Sequence, residues 1–223
     1  MDYQKLLTKI YKETKNLKGG RKAHYIPELA KVNKNLYGIS ICNTKGELFS
    51  IGDHNKPVAI ESISKLFSLA FAVNKHGIKT IHNKIGMHGS FLPFNSIVAA
   101  KLSPSHTINP FLNQGAMATT SLLYQKNSDK FKESLRKNMS NYASKSLRVG
   151  PKVYASESKT NNVNMSLAYL LKSENRFYAP VDPVVDAYTY QCSTMVTSDD
   201  LARMASVFAN SGVNPVDDKR MLS

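Results

Sequence analysis

The chain is short of cysteine, short of acid and free of long apolar runs, and each shortage excludes something. Its two cysteines, Cys42 and Cys192, are too few for a disulfide framework, and no C-x-x-C or paired Cys/His spacing suggests zinc. Free thiols in a reducing compartment are the expectation. No run of about 18 apolar residues exists, which excludes a membrane-spanning helix. The opening segment, MDYQKLLTKIYKETKNLK, is charged throughout and lacks the apolar centre of a secretory signal, so a cytoplasmic location is expected. All six histidines precede residue 107, and none pairs with a carboxylate or cysteine at ligand spacing. Neither G-x-G-x-x-G nor a Walker sequence occurs, so nucleotide binding has no support. No metal and no cofactor are expected.

Acid poverty leaves 30 Lys and Arg against 16 Asp and Glu, a net charge of +14. Such a balance raises the question of a nucleic-acid partner. Residues 1–35 hold nine basic and three acidic residues, and residues 126–148 hold seven and two, which together carry most of the excess. Neither segment interleaves aromatics for base stacking, and helix-turn-helix, RNP and zinc-finger signatures are absent. Two solvated, lysine-rich faces are the simpler reading, with neither nucleic acid nor membrane as a partner.

What remains is globular: 223 residues, 42% of them hydrophobic, enough for one domain over 1–223 with a packed core. Residues 2–18 read as an amphipathic helix stopped by Gly19-Gly20. Tyr25-Ile26-Pro27 turns into a short helix. Asn43-Thr44-Lys45-Gly46 joins two strand-like runs, Leu36–Cys42 and Glu47–Gly52, into a hairpin. A helix from Ser62 to Asn74 is apolar round most of its circumference and so is expected to be buried, with Gly77 ending it. Further helices are expected over GAMATTSLLYQ (115–125), in part of the basic 126–148 segment, over Asn164–Leu171, and from Ser198 towards Gly212, while Tyr178–Asp182 reads as a loop. Little after the hairpin is strand-like. A lone hairpin is marginal in water, so it must pack on the Ser62 helix alone or lack the rest of its sheet.

The sharpest chemical candidate is Ser62-Ile63-Ser64-Lys65, an S-x-x-K sequence. On a helix the side chains at i and i+3 share a face, so Lys65 can reach the Ser62 hydroxyl. A lysine desolvated by apolar neighbours loses proton affinity and can serve as a base. Backbone amides at a first helical turn can stabilise an oxyanion. The same pattern recurs at Ser134–Lys137 and Ser156–Lys159, but only Ser62 opens an apolar helix. An ordinary N-cap serine is the competing reading.

Blocks along nearly the whole chain resemble the serine-dependent glutaminase family: HYIPELA (24–30), ESISKLFSLA (61–70), PFNS (93–96), NPFLNQGAM (109–117), VYASE (153–157), NMSLAYLLKS (164–173), YTYQCS (188–193) and TSDDLARMASVFANSGVNP (197–215). The resemblance implies an α+β fold of the β-lactamase and penicillin-binding protein type, with an antiparallel sheet, packed helices and a helical subdomain. It implies hydrolysis of L-glutamine to L-glutamate and ammonia through a γ-glutamyl ester, in a homo-oligomer, dimer or tetramer. By position Ser62 would be the nucleophile and Lys65 its proton acceptor, with Tyr25, Asn113, Glu157, Asn164 and Tyr188 as substrate contacts. Glu157 would supply an anion for the α-ammonium, and the amides and tyrosines donors for the carboxylate and side-chain amide. Against this, Asn164 could cap its helix, and Tyr25 or Tyr188 could be half-buried core residues.

Departures from the family pattern are specific. Glu61 stands where Gln is usual, His24 where an acid is, Gln114 where Ala is and Val163 where Arg is, while His88-Gly89-Ser90-Phe91 replaces an E-P-S-G stretch. Family members also continue into a G-M-Y-D-like segment with a second tyrosine and a K-S-G-V strand that supplies an oxyanion-hole amide and completes the sheet. No K-S-G or K-T-G occurs in the 223 residues. The expectation is a domain lacking its C-terminal part, about 70% of the whole, with missing sheet strands and little or no activity of its own. A penicillin-interacting acyl-transferase is disfavoured, since S-D-N, Y-x-N and K-T-G are all missing. A non-catalytic remnant using its basic surface is the reading from another class.

Overall fold

The computed structural model describes residues 1–103 and 105–222. In chain order the first elements are α1 (Tyr3–Thr14), α2 (Pro27–Ala30), β1 (Gly38–Cys42), β2 (Leu48–Gly52) and β3 (Val58–Ala59). A single 3-10 turn (Glu61–Ile63) leads into α3 (Ser64–His76), followed by α4 (Ile78–Lys84), α5 (Ile97–Leu102), α6 (Asn113–Leu122) and α7 (Ser128–Tyr142). The remainder is β4 (Arg148–Val149), α8 (Pro151–Lys159), α9 (Asn162–Ser173), α10 (Val181–Cys192), β5 (Thr194–Val196) and α11 (Ser198–Ala209).

The hairpin forms where its turn chemistry demands it. Asn43 Oδ1 accepts the amides of Lys45 (2.9 Å) and Glu47 (3.0 Å), and Gly46 takes the left-handed φ of 81° that closes the turn. β1 and β2 pair antiparallel with Gly38 opposite Gly52 and Cys42 opposite Leu48. Alternation puts Ser40 and Ser50 on one face and Ile41 and Phe49 on the other. α1 covers the second face, its Tyr3 ring 5.3 Å from that of Phe49. The first turn of α11 meets the first face: Asp199 Oδ1 accepts from Ser40 Oγ and Ser50 Oγ, and Asp199 Oδ2 lies 2.8 Å from His54 Nδ1. The hairpin's cover is therefore two helices far apart in sequence, not the Ser62 helix.

Later strands do exist, which corrects the expectation of almost none. β3, β5 and β4 form a three-stranded antiparallel sheet with Val58 opposite Val196 and Arg148 opposite Met195. At two or three residues each they are too short to show a period-2 pattern. α10 was likewise hidden, its Val181 and Asp182 lying in the segment read as a loop. Its β-branched Val181, Val184, Val185 and Thr189 favour strand locally, yet all four are buried and packing decides. Pro183 sits in the first turn, where a missing N–H costs little. α8 is a further helix, begun by Pro151 at its first position, where a missing N–H costs little. The main core joins α3, α6, α9 and α10 through Ala72, Met117, Leu167, Leu171, Val184 and Ala187. Among the described residues no helix is long and apolar enough to cross a membrane.

Burial alone would raise the Asp199 carboxyl, but hydrogen bonds from Ser50, Ser40 and His54 outweigh it and hold the group below its usual range. Its stabilisation is therefore present above the unfolded value of about 4 and is lost as pH falls through the lower folded value. Asp199→Ala is expected to cost about 2–3 kcal/mol in urea unfolding at pH 7, with parent and variant converging as the carboxylate protonates in acid.

Candidate active site

β3 delivers the chain to Ile60, whose amide donates to Thr194 O at 2.8 Å and pins the following turn to β5. Glu61 then adopts φ +50°, a left-handed conformation that costs a non-glycine residue on the order of 1–3 kcal/mol and is concentrated at functional sites. Ser64 Oγ donates to Glu61 O at 2.6 Å and closes the turn. Ser62 is left exposed on this turn, immediately ahead of α3. It caps nothing: Ile60 and Ile63 occupy the cap positions, so the N-cap reading of Ser62 fails.

Three residues on, Lys65 is buried, and its Nζ donates to Phe111 O (2.9 Å) and Asn113 Oδ1 (2.7 Å). Burial pulls its pKa below the ordinary lysine value, with the neighbouring Cys192 opposing. Among the described residues no hydrogen bond joins Lys65 to Ser62, contrary to the simple i, i+3 expectation. The Nζ is instead held by the segment entering α6 and by the first residue of that helix. Asn109 Oδ1 takes the amides of Phe111 (2.9 Å) and Leu112 (3.1 Å), and its Nδ2 donates to His88 O at 2.7 Å. Gly115 is required here, because a β-carbon would meet Asn109 O at 1.8 Å. That close approach gives the N-P-F-L-N-Q-G sequence a physical reason.

Asn113 passes the connection on, its Nδ2 donating to Asn164 Oδ1 at 2.9 Å. Asn164 lies inside α9, whose cap is Asn161, so the capping alternative for Asn164 also fails. Asn113, Asn164, Tyr25, Phe94 and Glu157 line a cavity of about 310 Å³. Tyr25 is 63% exposed, not a core residue. Tyr188 is the opposite case, buried within the main core on α10. Burial first, then Cys192, Glu157 and Glu61, push its hydroxyl well above the ordinary tyrosine value.

Two carboxylates lie in the same cluster. Burial pushes Glu61 up to about 7. Burial, then Glu61, push Glu157 up to about 8 against a 3.4 Å hydrogen bond from Ser193 Oγ. Tyr25 is raised by burial and then by Glu61, Glu157 and Cys192. The other two S-x-x-K sequences are inert by comparison: Ser134 Oγ is engaged by Phe131 O on its own helix, and Lys137 and Lys159 are both exposed. A larger cavity of about 410 Å³, walled by Leu69, Val73, Ile78 and Phe111, is apolar, and the lining of neither cavity includes Ser62, Lys65 or Tyr188.

Sequence reasoning missed the Phe111 carbonyl, which no side-chain pattern reveals, and the placing of Ser64, Cys192 and Ser193 beside the carboxylates. It noticed Glu61 only as a departure. It also missed the stack of His88 on His106, with ring centres 5.4 Å apart and His82 alongside. No group of three His, Cys, Asp or Glu among the described residues is arranged to hold a metal.

A mixed α/β scaffold of small antiparallel sheets and many helices, with a serine-bearing turn feeding a buried-lysine helix, defines a protein of the β-lactamase-like fold. The glutaminase family model matches residues 20–223. A glutaminase of Colwellia psychrerythraea is 44% identical over 220 residues, 99% of this chain and 71% of that one. A Bacteroides thetaiotaomicron glutaminase is 38% identical over 98% of this chain and 68% of its own length. For a Brucella canis glutaminase the figures are 39%, 92% and 65%. The solved structure of YbaS, described as a probable glutaminase, superposes with a TM-score of 0.96 at 35% identity, over 99% of this chain and 71% of that one. Mglu in its glutamate form gives 0.91 at 27%, over 100% and 51%. The chain belongs to the glutaminase family, and it spans 65–71% of the curated relatives named here.

Gln114, where the family usually has alanine, is fully buried on α6 with both ends of its amide unpartnered. Replacing it by an apolar side chain of similar length removes that desolvation cost. Gln114→Met is expected to raise stability by about 1–3 kcal/mol in urea unfolding, and a loss would show that the amide has partners.

Proposed function

We propose that Ser62 and Lys65 are the nucleophile and base of L-glutamine hydrolysis, giving L-glutamate and ammonia. Ser62 Oγ attacks the γ-carbonyl carbon while Lys65 Nζ takes the hydroxyl proton. The tetrahedral intermediate collapses, ammonia leaves with that proton, and water then hydrolyses the γ-glutamyl ester. Asn113, Asn164, Tyr25 and Tyr188 serve as contacts for the substrate, and Glu157 as the anion for its α-ammonium. The observation that carries this reading is Lys65, buried with a lowered pKa three residues from an exposed serine. Lysine at its ordinary value would be protonated and useless as a base at neutral pH. The glutamate form of Mglu supports the ligand class. A cytoplasmic location and assembly into a dimer or tetramer belong to the same reading.

The 223 residues contain no K-S-G sequence, from which the family resemblance draws one oxyanion-hole donor. Loss of one such donor costs about 10²–10³ in rate, so the chain by itself should release ammonia from L-glutamine at less than about 1 s⁻¹. Acylation is easier to see with a better leaving group. An L-glutamate γ-anilide should release about one anilide per chain in a burst, leaving the γ-glutamyl group on Ser62, and Ser62→Ala should give none. A burst that survives Ser62→Ala, or a label on another residue, would sink the assignment.

A further inference from the structure

Glu61 is the carboxyl of the cluster that the reaction above leaves without a task. Its position is unusual in three respects. It directly precedes Ser62, it holds a left-handed backbone, and its Oε1 is buried without a hydrogen-bond partner. The turn that carries it and the helix that carries Glu157 converge on the end of α10. Ser64, bonded to Glu61 O, also reaches Cys192 Sγ at 3.5 Å, while Glu157 Oε2 is met by Ser193 Oγ from the next residue. The titratable and charged groups of this cluster are Tyr25 before α2, Lys65 on α3, Glu157 on α8, and Tyr188 and Cys192 on α10. Lys65 is the one basic side chain among them, and both acceptors bonded to its Nζ lie elsewhere, on Phe111 and Asn113.

Two carboxyls in a low-dielectric cluster cannot both ionise cheaply, so one retains a proton until a cation arrives. A primary ammonium supplies that cation and three donors, one of which can meet the unpartnered Glu61 Oε1.

We propose that Glu61 and Glu157 share one proton while the cavity is empty and release it to solvent when an α-ammonium group binds, so that Glu61 sets the pH dependence of substrate affinity. This rests on the glutamine reading for the identity of the ligand, but not for the shared proton. Both carboxyls lie above their ordinary range, which agrees with the arrangement. Binding that displaces one proton tightens about tenfold per pH unit on the acid side of the pair's titration and levels off beyond it. A glutamine at position 61 is neutral at every pH, so Glu157 would then ionise more readily and the slope would flatten.

The test has two arms. In the first, the ligand-free chain, labelled with ¹³C at its glutamate carboxyls, is titrated by NMR. Two carboxyls should change ionisation above pH 6 in the parent, and one in Glu61→Gln, at a lower pH than either parent group. Ordinary midpoints below pH 5 for every carboxyl would overturn the proposal. In the second, Kd is measured by calorimetry on Ser62→Ala, which cannot consume the ligand, with L-glutamine and with 4-carbamoylbutanoate, its analogue lacking the α-amino group. From pH 6 to pH 8 L-glutamine should bind at least tenfold more tightly with proton release, 4-carbamoylbutanoate should show no such gain, and adding Glu61→Gln should remove most of the slope. A slope unchanged by Glu61→Gln would overturn the role of Glu61. Raised titration of both carboxyls without any binding of L-glutamine would overturn the glutamine reading and the ligand assignment, while leaving the shared proton established.

Discussion

A lysine ammonium taken out of water has to be met by acceptors, and much of this molecule is arranged to meet the one on Lys65. The Phe111 carbonyl and the Asn113 amide oxygen face Nζ because Asn109 folds the preceding segment back on itself and Gly115 lets that segment lie against α6. Neither acceptor is a carboxylate. A carboxylate would have held the lysine protonated and removed its value as a base. Neutral acceptors satisfy the hydrogen bonds while burial keeps the ammonium's pKa depressed. Asn113 in turn binds Asn164 across to α9, so the same constraint shapes the cavity wall.

The serine is held by a different device. The Ile60 amide is bonded to β5, and the Glu61 backbone is forced left-handed by the turn that follows. The short β3–β5–β4 sheet therefore matters less for the area it buries than for where it aims one turn. The hairpin, by contrast, is fastened through Asp199 to α11 and through Tyr3 to α1, away from the serine and lysine.

How much of this was legible depended on the length scale of each feature. Asn43 and Gly46 announced the hairpin, and the acidic first turn with apolar residues at helical spacing announced the helix from Ser198, whose Thr197–Asp200 capping box the structure adds. Those are local signals, complete within a few residues. β3, β4 and β5 were invisible because two or three residues carry no periodicity, and α10 because its valines obey burial over intrinsic preference. The serine and lysine stood out by spacing, but their relation did not: Lys65 bonds a carbonyl and an amide more than forty residues away, not its neighbour on the helix. Asn113, Asn164 and Glu157 were reached by family resemblance, and only the fold shows them on one wall. Glu61 looked like a departure from a pattern, and its meaning appears only beside Glu157.

The central claim is that one cavity, walled by Glu157, Asn113 and Asn164, receives an amino acid whose γ-carbonyl reaches Ser62. A crystal structure of the chain soaked with L-glutamate tests this directly. The account predicts the α-ammonium between Glu61 and Glu157 and the γ-carboxylate within about 3 Å of Ser62 Oγ. Glutamate with its α-ammonium remote from both carboxylates, or bound in the apolar cavity beside Leu69 and Val73, would contradict it.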